Sequence, residues 1–583
     1  MDVGSSLEIV SYKETHEAQR QFAAPGRPTV ALATWHRTIA DVNRRHFLIG
    51  TGVSTLAAGV TLARRVQGTQ PPRQTRQADV IIRNGQVHDG SLQPARRADV
   101  AIGRGRILAV GDLPGWSAAR TIDAAGRVVA PGFIDTHSHA AESLARRGLH
   151  FADALLAQGV TTIVVNPDGG GPVDLEAQRA RFGTLGIGVN VAPLVGHGAI
   201  RGSVIGGESR PPTTAEQEQM RQAVRTAMRA GAFGLSSGLF YTPGAYARTD
   251  EVTDLMRVAA ETLSRSAVHT SHIRDEGTYS VGVLAAVDEI IAIAEGSGTT
   301  GIVTHMKALG PDAWGRTREC AAHIEAARTR GVSVWADQYP YEASGTSLFA
   351  ALIPREAQAG GRKALAERLT DARQRAALLP LVAENIRRRG GAASLLVAFY
   401  PPDRSVEGQS LEQIAKARGV SAEDAALTLV ALHDTATVSF NMSMDDIEYL
   451  MRLPWMMTCS DGATYMAGEG KPHPRGHGAF TRKLTAFVRE RKTLPLGQAL
   501  HSMTGLPAQV FSLAGRGVIA EGAHADLVVF DPAALRDEAT YQEPHRHASG
   551  MHTVMVNGTL AIDEGKSTHA LAGVSLRREA ARP

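Results

Sequence analysis

The sequence predicts an α/β protein: a (β/α)8 TIM-like barrel with a small β-sandwich domain built from both ends of the chain. Three observations carry that expectation. Through the middle of the chain, apolar β-rich runs such as Val160–Val165 alternate with longer helical stretches such as 281–294, which leads into the run at 301–304; that alternation builds parallel βα units. Near both ends, short strands of period two are separated by turn residues. Histidines fall where the barrel-type strands stop, and that rim is where such barrels carry their chemistry.

The 583 residues are 43% hydrophobic, enough for a large core and more than one domain. A formal charge of +4, with Lys and Arg interleaved among Asp and Glu, gives no support to nucleic-acid binding. The two cysteines, Cys320 and Cys459, lie far apart and indicate neither a disulfide framework nor a cysteine zinc cage. Residues 1–43 read as an unstructured extension. Asn43, Arg44 and Arg45 then precede an apolar Gly/Ala/Thr-rich stretch at 50–63, so that 44–70 matches a twin-arginine export signal. The apolar run is shorter than the roughly 20 residues that span a bilayer. The expectation is therefore a periplasmic or exported enzyme, delivered by the twin-arginine export machinery, with no stable membrane insertion after signal removal. Because such signals keep the arginine pair near the start, translation is expected to begin at Val42.

In chain order, the first part of the sandwich is expected over 78–131, as strands near 79–87, 98–102 and 105–110 broken by Asn-Gly and Gly-Arg-Gly turns. The barrel follows over 132–510. Its first strand ends at 131–139, Pro-Gly-Phe-Ile-Asp-Thr-His-Ser-His, where His137 and His139 share one face and can address one ion. The second ends at 164–171 with Asp168 in a Gly-rich turn. A later strand ends at His272, with His269 on the opposite face, and the next ends at His305, followed by Lys307. Three separate strand ends thus bring imidazole to one rim, which points to a metal site. The apolar run 455–462 ends in Asp461, a carboxylate able to bind metal, take a proton from water and return it to a leaving group. The segment 342–441 exceeds what one βα unit needs, and its helical Ala/Arg/Leu content suggests an inserted lid that selects substrate. Strands near 517–519, 525–530 and 554–558 complete the sandwich over 511–565, leaving 566–583 as a tail.

Residues 131–139, 270–276, 305–307, 460–462 and 517–528 together resemble the amidohydrolase superfamily. Within it, 236–244 (Ser-Ser-Gly-Leu-Phe-Tyr-Thr-Pro-Gly), 337–341 (Asp-Gln-Tyr-Pro-Tyr) and 473–476 (His-Pro-Arg-Gly) resemble the N-acyl-D-amino-acid deacylase, or D-aminoacylase, branch. The resemblance covers about 78–565 and implies a zinc amidohydrolase that cleaves the amide of N-acyl-amino acids, of D configuration, with a metal-activated water. It implies a tight zinc on His272 and His305, and a second, weaker metal position bordered by His137, His139 and Asp461. Lys307 and Arg475 would pair with the substrate carboxylate, Tyr339 would position or polarise the amide, and Tyr241 would contact substrate. Asp168 stands where that branch has a cysteine ligand, a harder donor that zinc still accepts. The alternatives are a relative acting on dipeptides or on cyclic amides, as dihydroorotases and hydantoinases do, and a degenerate metal-binding scaffold. No lysine at a comparable strand end supports the metal-bridging lysine of the cyclic amidases.

Overall fold

The computed structural model describes residues 76–263 and 267–579. The extension expected at 1–43, the signal segment at 44–70 and the last four residues of the tail lie outside the described residues.

Strands from the two ends of the chain meet in one nine-stranded sheet. Its order runs Lys566–Ser567, Thr559–Asp563, Met551–Val556, Leu527–Phe530, Val128–Pro131, Arg76–Val87, Arg96–Gly103 and Arg106–Gly111, with Trp116–Asp123 also paired to Arg76–Val87. The seam between the two ends is antiparallel, with Val529 opposite Val129. Alternation puts Val80, Ile82, Val100, Ile102, Leu527 and Val529 in one buried cluster. The Asn-Gly pair expected to break the first strand does not break it. Arg76–Val87 is continuous, and the register against Arg96–Gly103 shifts between Ile82 and Gly85. Asn84 takes φ of 63° and its N–H donates to the Asp99 carboxylate, while a Cβ at Gly85 would meet Val129 at 2.3 Å. Asn-Gly is used here as a bulge within a strand instead of a hairpin turn.

The central residues form parallel strands separated by helices. Phe133–Asp135, Val160–Val165 and Asn190–Pro193 pair in parallel, and so do Val195–Gly196, Gly234–Gly238, Val268–His272, Thr300–Val303, Val334–Gln338 and Met456–Thr458. Beyond the last strand the backbone pairs with that beyond the first: Asp461 N–H donates to the His137 carbonyl at 2.9 Å and His139 N–H to the Gly462 carbonyl at 2.9 Å. The intervening helices carry an apolar face inward, as in Val283–Ser297, whose Val283, Val287, Ile290 and Ala294 are buried against the strands. The helix Thr214–Arg229 begins with a reciprocal capping pair between Thr213 and Glu216.

Between Val334–Gln338 and Met456–Thr458 lies an insertion with its own core of Leu352, Leu365, Val382, Leu395, Ile414, Leu427 and Val430. It is less purely helical than its composition suggests, because Ala343–Ser347, Ala436–Phe440 and Leu395–Phe399 form a three-stranded antiparallel sheet within it. Leu395 and Val397 alternate toward that core, a short strand signal that the surrounding Ala/Arg/Leu composition hides.

Candidate metal centre

The strand ends deliver their side chains through backbone held in unusual conformations. Asp168, His305 and Asp461 all have positive φ, at 56°, 37° and 50°, a region that costs a non-glycine residue of order 1–3 kcal/mol. Two carboxylates beneath the rim hold it there. Asp337 accepts the His305 N–H at 2.6 Å and the Thr136 hydroxyl at 2.8 Å. Asp135 accepts the Ser460 N–H at 2.8 Å and the His137 N–H at 3.3 Å. Burial lifts the Asp135 carboxyl to about 6 against those hydrogen bonds. After Asp168 the chain turns through Gly169, at φ of 72°, whose N–H donates to the Ser236 hydroxyl at 3.1 Å.

One ligand atom from each of His137, Asp168, His305 and Asp461 lies within 4.8 Å of the others, and His272, Glu276 and His305 form a second such group. In the first, His137 Nε2 is 3.4 Å from both Asp168 Oδ1 and Asp461 Oδ1, and His305 Nε2 is 3.6 Å from Asp168 Oδ1. His139 stands alongside, its Nε2 3.2 Å from Asp461 Oδ1 and 3.4 Å from Asp168 Oδ2. In the second, His272 Nδ1 is 3.0 Å from His305 Nε2, and Glu276 Oε1 is 3.0 Å from His305 Nδ1. The fit to a cation rests on unpaired atoms: both ring nitrogens of His137 and Asp168 Oδ1 are buried with no hydrogen-bond partner. Such atoms are costly unless something bonds them. The spacing of about 3.4 Å is long for a hydrogen bond but suits donors each about 2.0–2.2 Å from a shared tetrahedral ion.

The charges agree. Although burial would raise it, the Asp168 carboxyl is held well below the usual range by the imidazoles of His137, His139 and His305 that surround it. Asp461 is likewise held low against burial, first by Arg475 and then by His305. Burial would lower His139, but Asp168 and Asp461 raise it to about 9; the field that favours a proton there also favours a metal cation. Burial lowers His272 to about 4, which keeps its imidazole neutral and available as a donor.

A cavity of about 420 Å³ opens beside these groups, bordered by His139, Asp168, His272, His305, Asp461, Lys307, Tyr241 and Tyr339, and roofed by 344–347 and Ala350 of the insertion. Lys307 Nζ contacts the Glu276 carboxylate and His305 Nδ1, the latter at 2.8 Å. Arg475 is buried behind Asp461, donating to its Oδ2 at 2.6 Å and to the Gly345 carbonyl at 3.3 Å, and does not border the cavity. Tyr241 bonds Thr346 through its hydroxyl at 3.2 Å and lies against His272 with ring centres 4.5 Å apart. The Tyr339 hydroxyl donates to Met442 Sδ at 3.5 Å, and its ring packs under Lys307 and Arg475. His269 faces away from the cavity and pairs with the Ser237 hydroxyl at 2.9 Å, as its parity predicts.

Sequence reasoning passed over Glu276, Asp337 and Arg389. Glu276 had a signal, being four residues beyond His272 at the same strand end. Asp337 stood at the head of the quoted 337–341 motif. Arg389 had none, since it reaches the cavity from within the insertion.

Comparison with known proteins agrees with this geometry. The amidohydrolase family matches residues 120–562. An N-acyl-D-glutamate deacylase of Alcaligenes xylosoxydans xylosoxydans is 36% identical over 525 residues, 86% of this chain and 97% of the relative. A D-aminoacylase from the same organism is 33% identical over 86% of this chain and 98% of its own length. The crystal structure of N-acyl-D-glutamate deacylase from Bordetella bronchiseptica, complexed with zinc and a phosphonate inhibitor that mimics the tetrahedral intermediate, superposes with a TM-score of 0.73. It is 34% identical over 86% of this chain and 100% of that one. With whole-length relatives and a zinc-bound structure aligned on a chain whose strand ends gather histidine and aspartate, this protein belongs to the amidohydrolase family, in its N-acyl-D-amino-acid deacylase branch.

Proposed function

We propose that this protein is a zinc-dependent hydrolase that cleaves the amide bond of N-acyl-D-amino acids, releasing a free amino acid and a carboxylic acid. The observation that carries the reading is the buried group of His137, Asp168, His305 and Asp461, with orphaned donor atoms, opening on a cavity of ligand size. The names of the relatives, deacylases of N-acyl-D-amino acids in each case, support the substrate class. His137, His139, Asp168, His272 and His305 would hold zinc, with Glu276 beside His272 and His305 for a second ion. Bound there, zinc would supply Lewis acidity toward the amide carbonyl and ionise water near neutral pH. Asp461, anionic at neutral pH beside Arg475, takes the proton of the attacking water and returns it to the departing amine nitrogen. Arg475 fixes the carboxylate for that transfer. Lys307 uses one N–H on Glu276 and one on His305, which leaves a third for the substrate α-carboxylate. Tyr241 and Tyr339 wall the amide in and exclude water.

The parallel strands are read as a closed (β/α)8 barrel, supported by the backbone pairing of 137–139 with 461–462, with a β-sandwich beside it made from both chain ends and the 342–441 insertion as lid. The twin-arginine segment supports export to the periplasm or beyond through the twin-arginine machinery; N-terminal sequencing of the mature protein, and of its precursor for the start at Val42, tests that part. The test of function is hydrolysis of paired N-acetyl-D- and N-acetyl-L-amino acids, with metal content measured on the same sample. The expected result is zinc-dependent release of the D-amino acids, reduced about 10²–10⁴-fold in Asp461→Asn. No release of either isomer by zinc-loaded protein refutes the reading.

A further inference from the structure

A cluster of histidines lies outside the rim, and none of its members borders the cavity described above. His477, on the helix Arg475–Arg482, is 1% exposed. Both of its ring nitrogens are buried with no hydrogen-bond partner, although the His545 main chain acts on the ring. A neutral imidazole carries one N–H and one lone pair, so this ring has given up water at both positions without replacement. Two more imidazoles stand beside it on the loop that precedes Met551–Val556. The ring centres of His545 and His547 are 6.0 and 5.6 Å from that of His477.

The chemistry of the trio suits a cation. Imidazole nitrogens about 2.0–2.1 Å from one ion place their ring centres about 5–6 Å apart, close to the spacing here. Burial, and then the two neighbouring histidines, lowers His477 to about 3, so at neutral pH its ring is uncharged and keeps a lone pair to give. His545 Nε2 meets the Glu469 carbonyl at 3.1 Å. A carbonyl only accepts, so Nε2 carries the proton and the lone pair of the neutral ring falls to Nδ1, the arrangement common in metal-bound histidine. The Asp153 carboxylate works against burial at His547 and adds negative potential there. The donor atoms of the trio are spaced more widely than those of the two rim groups, which lie within 4.8 Å of one another. His477 is fixed in a helix, whereas His545 and His547 belong to a loop, half-buried and exposed, so the loop side chains close the gap.

We propose that His477, His545 and His547 bind a divalent transition-metal ion separate from the rim centre, and that this ion pins the 541–549 segment to the helix Arg475–Arg482. Three imidazoles with a position left for water suit zinc, nickel or copper; magnesium and calcium take oxygen donors. The same helix begins with Arg475, the partner of Asp461, so the ion steadies the element that orients that carboxylate. The site stands whatever substrate the rim takes.

Metal content decides it. The full chain, stripped of metal, is titrated with zinc against a chelator and analysed after dialysis, beside the loop variant His545→Ala/His547→Ala and the rim variant His137→Ala/His305→Ala. The loop variant should retain about one zinc fewer than the wild type. The ion it loses should persist in the rim variant and disappear when the two sets of substitutions are combined. Zinc should likewise raise the melting temperature of the rim variant and not that of the combined variant. Copper(II) bound to the rim variant should show nitrogen hyperfine structure in its electron paramagnetic resonance spectrum, absent after His477→Phe. Should the rim variant not fold, the zinc count of His547→Ala against wild type serves instead, since His547 is exposed. Equal zinc content in wild type and loop variant, or equal responses to zinc in the rim and combined variants, would overturn the proposal and leave His477 satisfied by buried water alone.

Discussion

Asp168 uses both oxygens at once, with Oδ1 toward His137 and His305 and Oδ2 toward His139. A side chain with a single donor atom could not do this, so the carboxylate lies among three imidazoles at once. The residue type and its strand end are readable in the sequence; the division of its oxygens is not, because it depends on the positive φ of Asp168. Away from the rim, Lys483 is a second buried group whose protonation matters. Its amine donates to the Thr458 and Ser502 hydroxyls at 2.7 and 2.8 Å, and Cys459 acts on it electrostatically in the opposite sense to burial. Burial lowers it from 10.5 to about 7. Between those values the unfolded chain binds a proton that the folded one does not, so stability contributed here rises with pH from about 7 to 10.5 and is flat below 7. The melting temperature of the wild type relative to Lys483→Met should therefore climb across pH 7–10, and a difference that stays level would show that the amine is charged in the fold.

Strand ends, more than whole strands, carry the chemistry, and their positions depend on a few cross-strand bonds. Asp337, at the end of Val334–Gln338, holds the backbone of His305 on one side and Thr136 on the other. Removing its carboxylate leaves the buried His305 N–H unpaired, while the Thr136 hydroxyl keeps the Thr458 carbonyl at 3.2 Å, at a cost of about 1–3 kcal/mol. It also frees His305 from its strained φ. Asp337→Ala should weaken zinc binding about 10–100-fold, measured by competition with a chelator, although Asp337 belongs to neither metal-type group. Retention of full zinc affinity would show that His305 is fixed by other bonds. The carboxylate was visible in the 337–341 motif, but its partner 32 residues away was not, since register between parallel strands leaves no local trace.

At the scale of the molecule, the nine-stranded sheet and the parallel strands share one core. Val128, Val528, Phe530 and Val554 from the sheet join Phe133, Val160, Phe480 and Phe487 in a single cluster, with the Phe133 and Phe530 rings edge to face at 6.4 Å. Truncation of Phe530 to Ala should cost about 3–5 kcal/mol. Because the core is common, calorimetry should record one transition displaced to lower temperature; a separate early transition for the sheet would mean that the two parts fold independently.

From the sequence alone came the element types, the strand-end histidines, Asp461, the odd Asp168 and the family resemblance, since each is written in local pattern: period two, period near 3.6, and a motif within about ten residues. Three-dimensional contact decided the rest. It turned the Asn84-Gly85 pair into a bulge, because Asp99 and Val129 lie across the sheet from it. It put Arg475 behind Asp461, where its own hydrogen bonds hold it, and brought Arg389 to the cavity from an insertion with strands of its own. Those outcomes depend on partners distant along the chain, and no property of the individual segments encodes which partner a buried charge will meet.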